Sequence, residues 1–265
     1  MISVKPLLLA LCCTLPLSAA QAHVPYLAPA SFEPVRGWVS LEAAFAEQFF
    51  LPEAKFDQSE FQVTGPDGQP RAPKELVAVK SRTVLDDELK TDGTYKYSTG
   101  QRLGAVFHSY ELNGKTENSR DPKFVLPKGA TLKAHFQSVT RAETYISKGK
   151  PDQTALKASG KGLELQFVSH PNDLYAGQPV TGVLLLDGKP LAGSKLELHQ
   201  TGNHSAGQNK TAPVPVTTNA KGEFSLTPTQ AGTYLLLARH RAPAPQGAKA
   251  PTYSHTSTVV FEAAE

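Results

Sequence analysis

The chain has 265 residues, 27 of them basic and 24 acidic, for a formal charge of +3. So even a balance, with no block of lysine and arginine, gives no reason to expect a nucleic-acid partner or an anionic membrane surface. Only two cysteines occur, Cys12 and Cys13, both near the start. Beyond them no thiolate is available as ligand, nucleophile or cross-link.

Lys5 is the only charge of the opening stretch, followed by an apolar run from Leu7 to Leu17 and then Ala20-Gln21-Ala22. A basic start, a short apolar middle and small residues at alternate positions define a secretory signal peptide, residues 1–22. The run is shorter than the roughly 20 residues of a membrane-spanning helix. Cleavage is expected to leave His23 as the first residue of an exported chain that does not span the membrane. Both cysteines and Met1 leave with the leader. Loss of Lys5 lowers the charge to +2, with 26 basic against 24 acidic residues.

Past the leader, short alternating runs dominate: Val39, Leu41, Ala43 and Phe45; Val106, His108, Tyr110 and Leu112; Leu132, Ala134 and Phe136; Leu163, Leu165 and Phe167; Tyr234, Leu236 and Ala238; Val259 and Phe261. Period-two spacing places one set of side chains on a core face, which predicts strands. Turn pairs punctuate them, among them Asp92-Gly93, Asn113-Gly114, Asp187-Gly188 and Lys221-Gly222. With 21 prolines and 20 glycines, the pattern predicts an all-β chain of antiparallel sandwiches. Leu41 to Phe50 also fits a short helix, because Leu41, Phe45 and Phe49 fall at helical spacing. A polar, glycine-containing stretch predicts a linker at 151–162 between an N-terminal domain, 23–150, and a C-terminal domain, 163–265. Gly93-Thr94-Tyr95 and Gly232-Thr233-Tyr234 open strands in both halves and hint at two related modules.

The phrases "DGKPLAGSKLEL" and "TNAKGEFSLTPTQAGTYLL" resemble a transthyretin-like or carboxypeptidase-regulatory-like sandwich. "AHVPYLAP", "FQVTGPDGQP", "DGTYKYSTGQRLG", "ETYISKGKPD" and "SHPNDLYAGQPVTGVLLLDGKPLAG" resemble, over most of residues 22–262, a family of periplasmic proteins associated with nickel and cobalt uptake. The resemblance implies two β-sandwich modules of immunoglobulin-like or transthyretin-like kind, a periplasmic location and a part in transition-metal handling. It implies no catalytic residue.

Without cysteine, a transition-metal site must come from histidine, carboxylate or the amino terminus. An N-terminal His23 offers two nitrogens, its imidazole and its α-amine, whose ordinary pKa of about 8 lets a metal displace the proton at neutral pH. Nickel, cobalt and copper accept such ligands, copper with the highest intrinsic affinity. Two histidine pairs extend the candidate set. His108 and His135 lie at equal distances from the middle of the 113–130 connection, and His240 and His255 from the middle of the Pro/Ala/Gly-rich loop 242–251. Symmetric hairpins would place each pair face to face, although long loops do not fix register. Arg239 and Arg241 flank His240, which disfavours a cation there. His199 and His204 bracket a polar loop, and His170 before Pro171-Asn172-Asp173 reads as turn chemistry.

No Gly-x-Ser-x-Gly elbow, phosphate loop, His-Glu-x-x-His helix or dinucleotide fingerprint occurs, so the chain is expected not to be an enzyme. Asp86-Asp87-Glu88 is an acidic cluster open to a hard cation or a solvated strand end. Arg102 is placed to bind an anion or to pair with an acid such as Asp92. The first expectation is therefore a periplasmic metal-binding accessory protein serving an inner-membrane transporter component or an outer-membrane receptor. A metal-free interaction module of the cell envelope is the alternative, and an oxidative copper enzyme built on the terminal histidine is a more distant one.

Overall fold

The computed structural model describes residues 23–201 and 212–265. The expected leader and His204 lie outside the described residues. Among the described residues the strands form three sheets. Sheet A contains β1 (Val24–Pro29), β2 (Trp38–Ala46), β3 (Ala54–Lys55), β6 (Glu75–Ala78) and β7 (Thr83–Glu88), in spatial order β1-β2-β7-β6 with β3 on β2. Sheet B is the long one. It runs β16 (Val214–Thr217), β15 (Lys195–Gln200), β18 (Gly232–Pro243), β19 (Thr252–Ala263), β11 (Thr131–Lys148), β8 (Gly93–Ser98), β4 (Gln62–Thr64) and β5 (Pro70–Arg71). The hairpin of β9 (Arg102–Leu112) and β10 (Lys115–Ser119) joins it along β11. Sheet C holds β12 (Leu163–Phe167), β13 (Val180–Leu186), β14 (Lys189–Pro190) and β17 (Glu223–Leu226).

The chain is all-β and mostly antiparallel. Leu41 to Phe50 starts as strand, not helix: β2 pairs with β1 on one edge and with β7 and β3 on the other, up to Ala46. Thr154–Leu156 forms a single 3-10 turn. Asn113-Gly114 and Asp187-Gly188 have φ of 53° and 75°, and of 50° and 74°. Positive φ at both central residues is the twist that two-residue hairpins need, and the pairs close β9–β10 and β13–β14.

Among the strand ladders of the described residues, one departs from the antiparallel expectation. β11 and β19 run parallel, from Gln137 opposite Tyr253 to Thr144 opposite Val260. Parallel neighbours need a long crossover rather than a hairpin, and here the C-terminal half of the chain supplies it. Sheet B therefore continues across the expected boundary between halves. Residues 151–162 also contribute to packing, since Ala155 and Leu156 are buried.

Side-chain alternation explains how three sheets share the core. On sheet B, Ala142 and Ile146 face one way, and Tyr145 the other. The first face packs Ala142, Ile146, Val63, Tyr95 and Tyr97 against Leu27, Val39, Leu41 and Leu85 of sheet A. Farther along, Leu235, Leu237 and Val260 pack against Val24, Tyr26, Ala44 and Ala46. Tyr26 and Leu27 are adjacent on β1, point oppositely, and are both fully buried. Sheet B thus curls around β1 and β2 and covers both their faces. Its other face packs Tyr145, Tyr234, Leu236, Val259 and Phe261 against Leu165, Phe167, Leu184 and Phe224 of sheet C.

Polar contacts fasten the seam. Thr258 Oγ1 donates to the Pro25 carbonyl and Thr144 Oγ1 to that of Val260, each at 2.9 Å. Arg141 of β11 meets Glu164 of β12 at 2.8 Å with both side chains buried, and Glu164 also accepts backbone N–H bonds from Ser159, Gly160 and Lys161. A buried pair so supported resists loss of either partner, at a cost of about 3–5 kcal/mol.

The two Gly-Thr-Tyr strand openings share one local geometry. Gly93 and Gly232 have φ of 130° and 140°. Tyr95 Oη donates to the Thr91 carbonyl at 2.9 Å and accepts from the Thr91 N–H, while Tyr234 Oη does the same with Gln230, donating at 2.7 Å. Each is a tyrosine corner of the kind found in immunoglobulin-like sandwiches. Tyr95→Phe and Tyr234→Phe are each expected to lower stability by about 1–2 kcal/mol, from two lost hydrogen bonds. Urea denaturation checks this, and a loss within a few tenths of zero would show the corners to be dispensable.

Candidate metal centre

His23 lies one residue before β1, and Glu47 one residue after β2. Because Val24 pairs with Ala46, antiparallel pairing brings both to the same rim of sheet A. Glu53 reaches that rim because its N–H bonds the Phe45 carbonyl at 3.0 Å. His23 Nε2 lies 2.7 Å from Glu53 Oε2, and Glu53 Oε1 accepts the Glu47 N–H at 2.8 Å. One ligand atom from each of His23, Glu47 and Glu53 falls within 4.8 Å of the others, and all three residues are exposed. Among the described residues no other group of three histidine, aspartate or glutamate side chains converges so closely. The bond from the Glu47 N–H, with the His23 contact, holds the Glu53 carboxyl below the usual range. It is therefore charged at neutral pH.

The two histidine pairs predicted by symmetry lie opposite one another. His108 and His135 are cross-strand partners on β9 and β11, and His240 and His255 are partners on β18 and β19. Neither pair joins His23, so the five candidate ligands occupy three places. The His108 and His135 rings stack at 4.3 Å with 27° between planes, and Phe124 covers the other face of His108 at 4.4 Å. Stacked rings aim their nitrogen lone pairs sideways rather than at one ion. His108 Nδ1 is buried without a hydrogen-bond partner. His255 is buried, and burial first, with His240 and Arg141 adding to it, lowers its pKa against the opposing pull of Asp187.

The remaining candidates have local partners. His170 Nε2 sits 2.9 Å from the Asp152 carbonyl and 3.0 Å from Thr94 Oγ1, while Nδ1 accepts the Asn172 N–H. These bonds fix the tautomer with the proton on Nε2, and His170 joins the two halves as a structural residue. His199 Nε2 lies 3.1 Å from Glu197 and its ring meets the edge of Phe49. Asp87 is buried and held by both Arg71 nitrogens and by Tyr97 Oη, so the acidic run 86–88 has no free central carboxylate. Arg102 pairs with Asp57, not Asp92. Sequence spacing missed Glu47 and Glu53; the signal was present in Glu47 closing an alternating run and in the second acid after Phe49-Phe50-Leu51-Pro52.

Residues 20–242 match a family described as "domain of unknown function (DUF4198)". No curated protein matches the chain. Among solved structures, the D0-D1 domain of intimin aligns over 89% of this chain and 96% of its own, at 11% identity and a TM-score of 0.21. A marsupial T cell receptor aligns over 89% and 73%, also at 11% identity and 0.21. Scores this low leave the architecture to rest on the chain's own strand pairing.

The histidines make a pH dependence. Burial is the leading cause that lowers the pKa of His108, His199 and His255. As pH falls below about 6.5, the unfolded chain takes up these protons before the folded one does. Stability is then fully present above that pH and is lost progressively toward the lower folded-state values. Urea midpoints at pH 7.0 and 5.5 should show the drop, and His199→Gln and His255→Gln should each reduce it. A midpoint unchanged between the two pH values would contradict the assignment.

Proposed function

The chain belongs to the family of the domain of unknown function DUF4198, and we propose that it is a metal-binding accessory protein of the cell envelope. Exported and cut before His23, it takes up a divalent transition-metal ion at the rim of sheet A. It then passes the ion to an inner-membrane transporter component or an outer-membrane receptor. The observation that carries this reading is the convergence of His23, Glu47 and Glu53.

The donor set suits the task. Cleavage would add the His23 α-amine to the imidazole, so one residue supplies two nitrogens and the carboxylates supply oxygens. Nitrogen ligands favour nickel, cobalt and copper over calcium or magnesium. The ion would displace the hydrogen bond between His23 Nε2 and Glu53 Oε2 and compete with protons for the same ligand atoms, so binding weakens at low pH. All three side chains are exposed, which leaves coordination positions to water and to a receiving partner. A closed, buried shell would instead suit a structural metal.

A second reading, a metal-free interaction module, has its own observation. The His23–Glu53 contact already satisfies both groups without an ion, and edge strand β6 exposes Leu76 and Val77. One experiment separates the two. Isothermal titration of untagged protein beginning at His23 is expected to give a submicromolar complex with Ni(II), Co(II) or Cu(II). Glu53→Gln should weaken it about tenfold or more, and so should one extra residue placed before His23, which removes the amine. Affinity indifferent to both changes would sink the rim site. Failure to take up any of the three metals selects the second reading.

A further inference from the structure

We propose that one end of sheet B, formed by the β9–β10 hairpin, the connection 120–130 and the loop 244–251, docks on an anionic lipid surface. Along the sequence no block of lysine and arginine stands out; strand pairing assembles one. β11 and β19 run parallel with Gln137 opposite Tyr253, so both strands begin at the same end of the sheet. Residues 131–136 extend past the start of β19 and pair with β9, and the β18–β19 loop emerges beside them. Residues 103–136 and 240–253 hold seven basic side chains against three acidic, while the rest of residues 23–265 holds 19 against 21. The molecule is thus positive at this end and negative over the remainder.

The basic groups are free to meet an anion. Lys133 is met by Glu111 at 2.9 Å, but among the described residues Arg120, Lys123, Lys128, Arg241 and Lys249 have no carboxylate partner. Arg120 lies 4.6 Å over the Phe107 ring and Arg241 4.6 Å over that of Phe136, and the two rings stack at 5.0 Å. Stacking holds each guanidinium plane and leaves its N–H groups to meet phosphate oxygens. An apolar tip stands among these cations. Between Lys123 and Lys128 the chain turns twice: the Phe124 N–H bonds the Asp121 carbonyl, and the Ala130 N–H that of Pro127, each at 3.0 Å. Phe124 packs back on His108 at 4.4 Å, whereas Val125 and Leu126 are 82% and 39% exposed, and Leu132 is 43% exposed. A soluble polyanion would meet the cations and leave these apolar side chains in water. A bilayer interface takes both, with phosphates for the basic groups and the acyl boundary for the tip. The rim of sheet A stays clear of that surface. Phe49 of the rim meets His199, opposite Leu235 on β18, and Leu235 lies about 26 Å along the strand from Pro243.

The proposal does not rest on metal binding, and its test uses no metal. Protein beginning at His23 is sedimented with vesicles of phosphatidylcholine alone or mixed with phosphatidylglycerol. Retention is expected on the mixed vesicles only, and it should fall as salt is raised. Lys123→Gln and Lys128→Gln should each lower the partition coefficient about fivefold, and Val125→Asp at least as much. Lys189→Gln, on the exposed strand β14 of sheet C, should leave it unchanged. All these positions are exposed, so unchanged urea midpoints separate lost binding from lost fold. Val125→Trp adds a positive readout: retention is kept or strengthened, and its emission moves to shorter wavelength when mixed vesicles are added. No retention on the mixed vesicles, retention indifferent to phosphatidylglycerol, or equal weakening by Lys189→Gln overturns the proposal. So does capture by soluble polyglutamate without vesicle binding, which would assign the surface to an acidic macromolecule instead.

Discussion

The parallel pairing of β11 with β19 is the constraint on which the rest of the structure depends. It joins strands from the two halves of the chain into one sheet, and that sheet is long enough to curl. Inside the curl lie β1 and β2, covered on both faces. Without the seam, Leu235, Leu237 and Val260 would lose the surface they share with Val24, Tyr26, Ala44 and Ala46. Nor could Thr258 reach the Pro25 carbonyl, a buried acceptor with no solvent to replace the bond. The halves carry matching tyrosine corners, as two sandwich modules would, yet they are sewn together through a shared sheet rather than strung on a free linker.

Double coverage has a sequence signature. Strands buried on both faces read as continuous apolar runs, not alternation. Tyr234-Leu235-Leu236-Leu237-Ala238 is such a run, with every residue buried. Reading only Tyr234, Leu236 and Ala238 as the inward set finds the core with sheet C and overlooks the core with sheet A. The same holds for Val24 to Leu27. The element types, the hairpin turns and the all-β class were legible in local spacing. The parallel partner was not, because nothing local in β11 selects a strand more than a hundred residues away.

Register was partly legible. For His240 and His255 the symmetry of the connecting loop suffices, because the ladder between β18 and β19 has no irregularity. For His108 and His135 a bulge intervenes: Leu132 faces Tyr110, but Ala134 faces Ser109, with Lys133 as the extra residue. Only beyond that bulge do the two histidines meet. The flanking arginines of His240 show the opposite lesson. In sequence they crowd it; in a strand, neighbours point away, and adjacency along the chain becomes separation across the sheet.

Stability and candidate chemistry occupy different parts of this molecule. The seam and its buried Arg141–Glu164 pair hold the fold, whereas His23, Glu47 and Glu53 sit on an exposed rim at the ends of β1 and β2. Exposed ion pairs add little to stability, so the cores do not depend on the His23–Glu53 contact. Yet the rim is not loose. Val24 pairs with Ala46 and is buried, which fixes the residue preceding it beside the residue following Ala46. His23 is thus delivered to two carboxylates by the same inserted strand that the long sheet encloses.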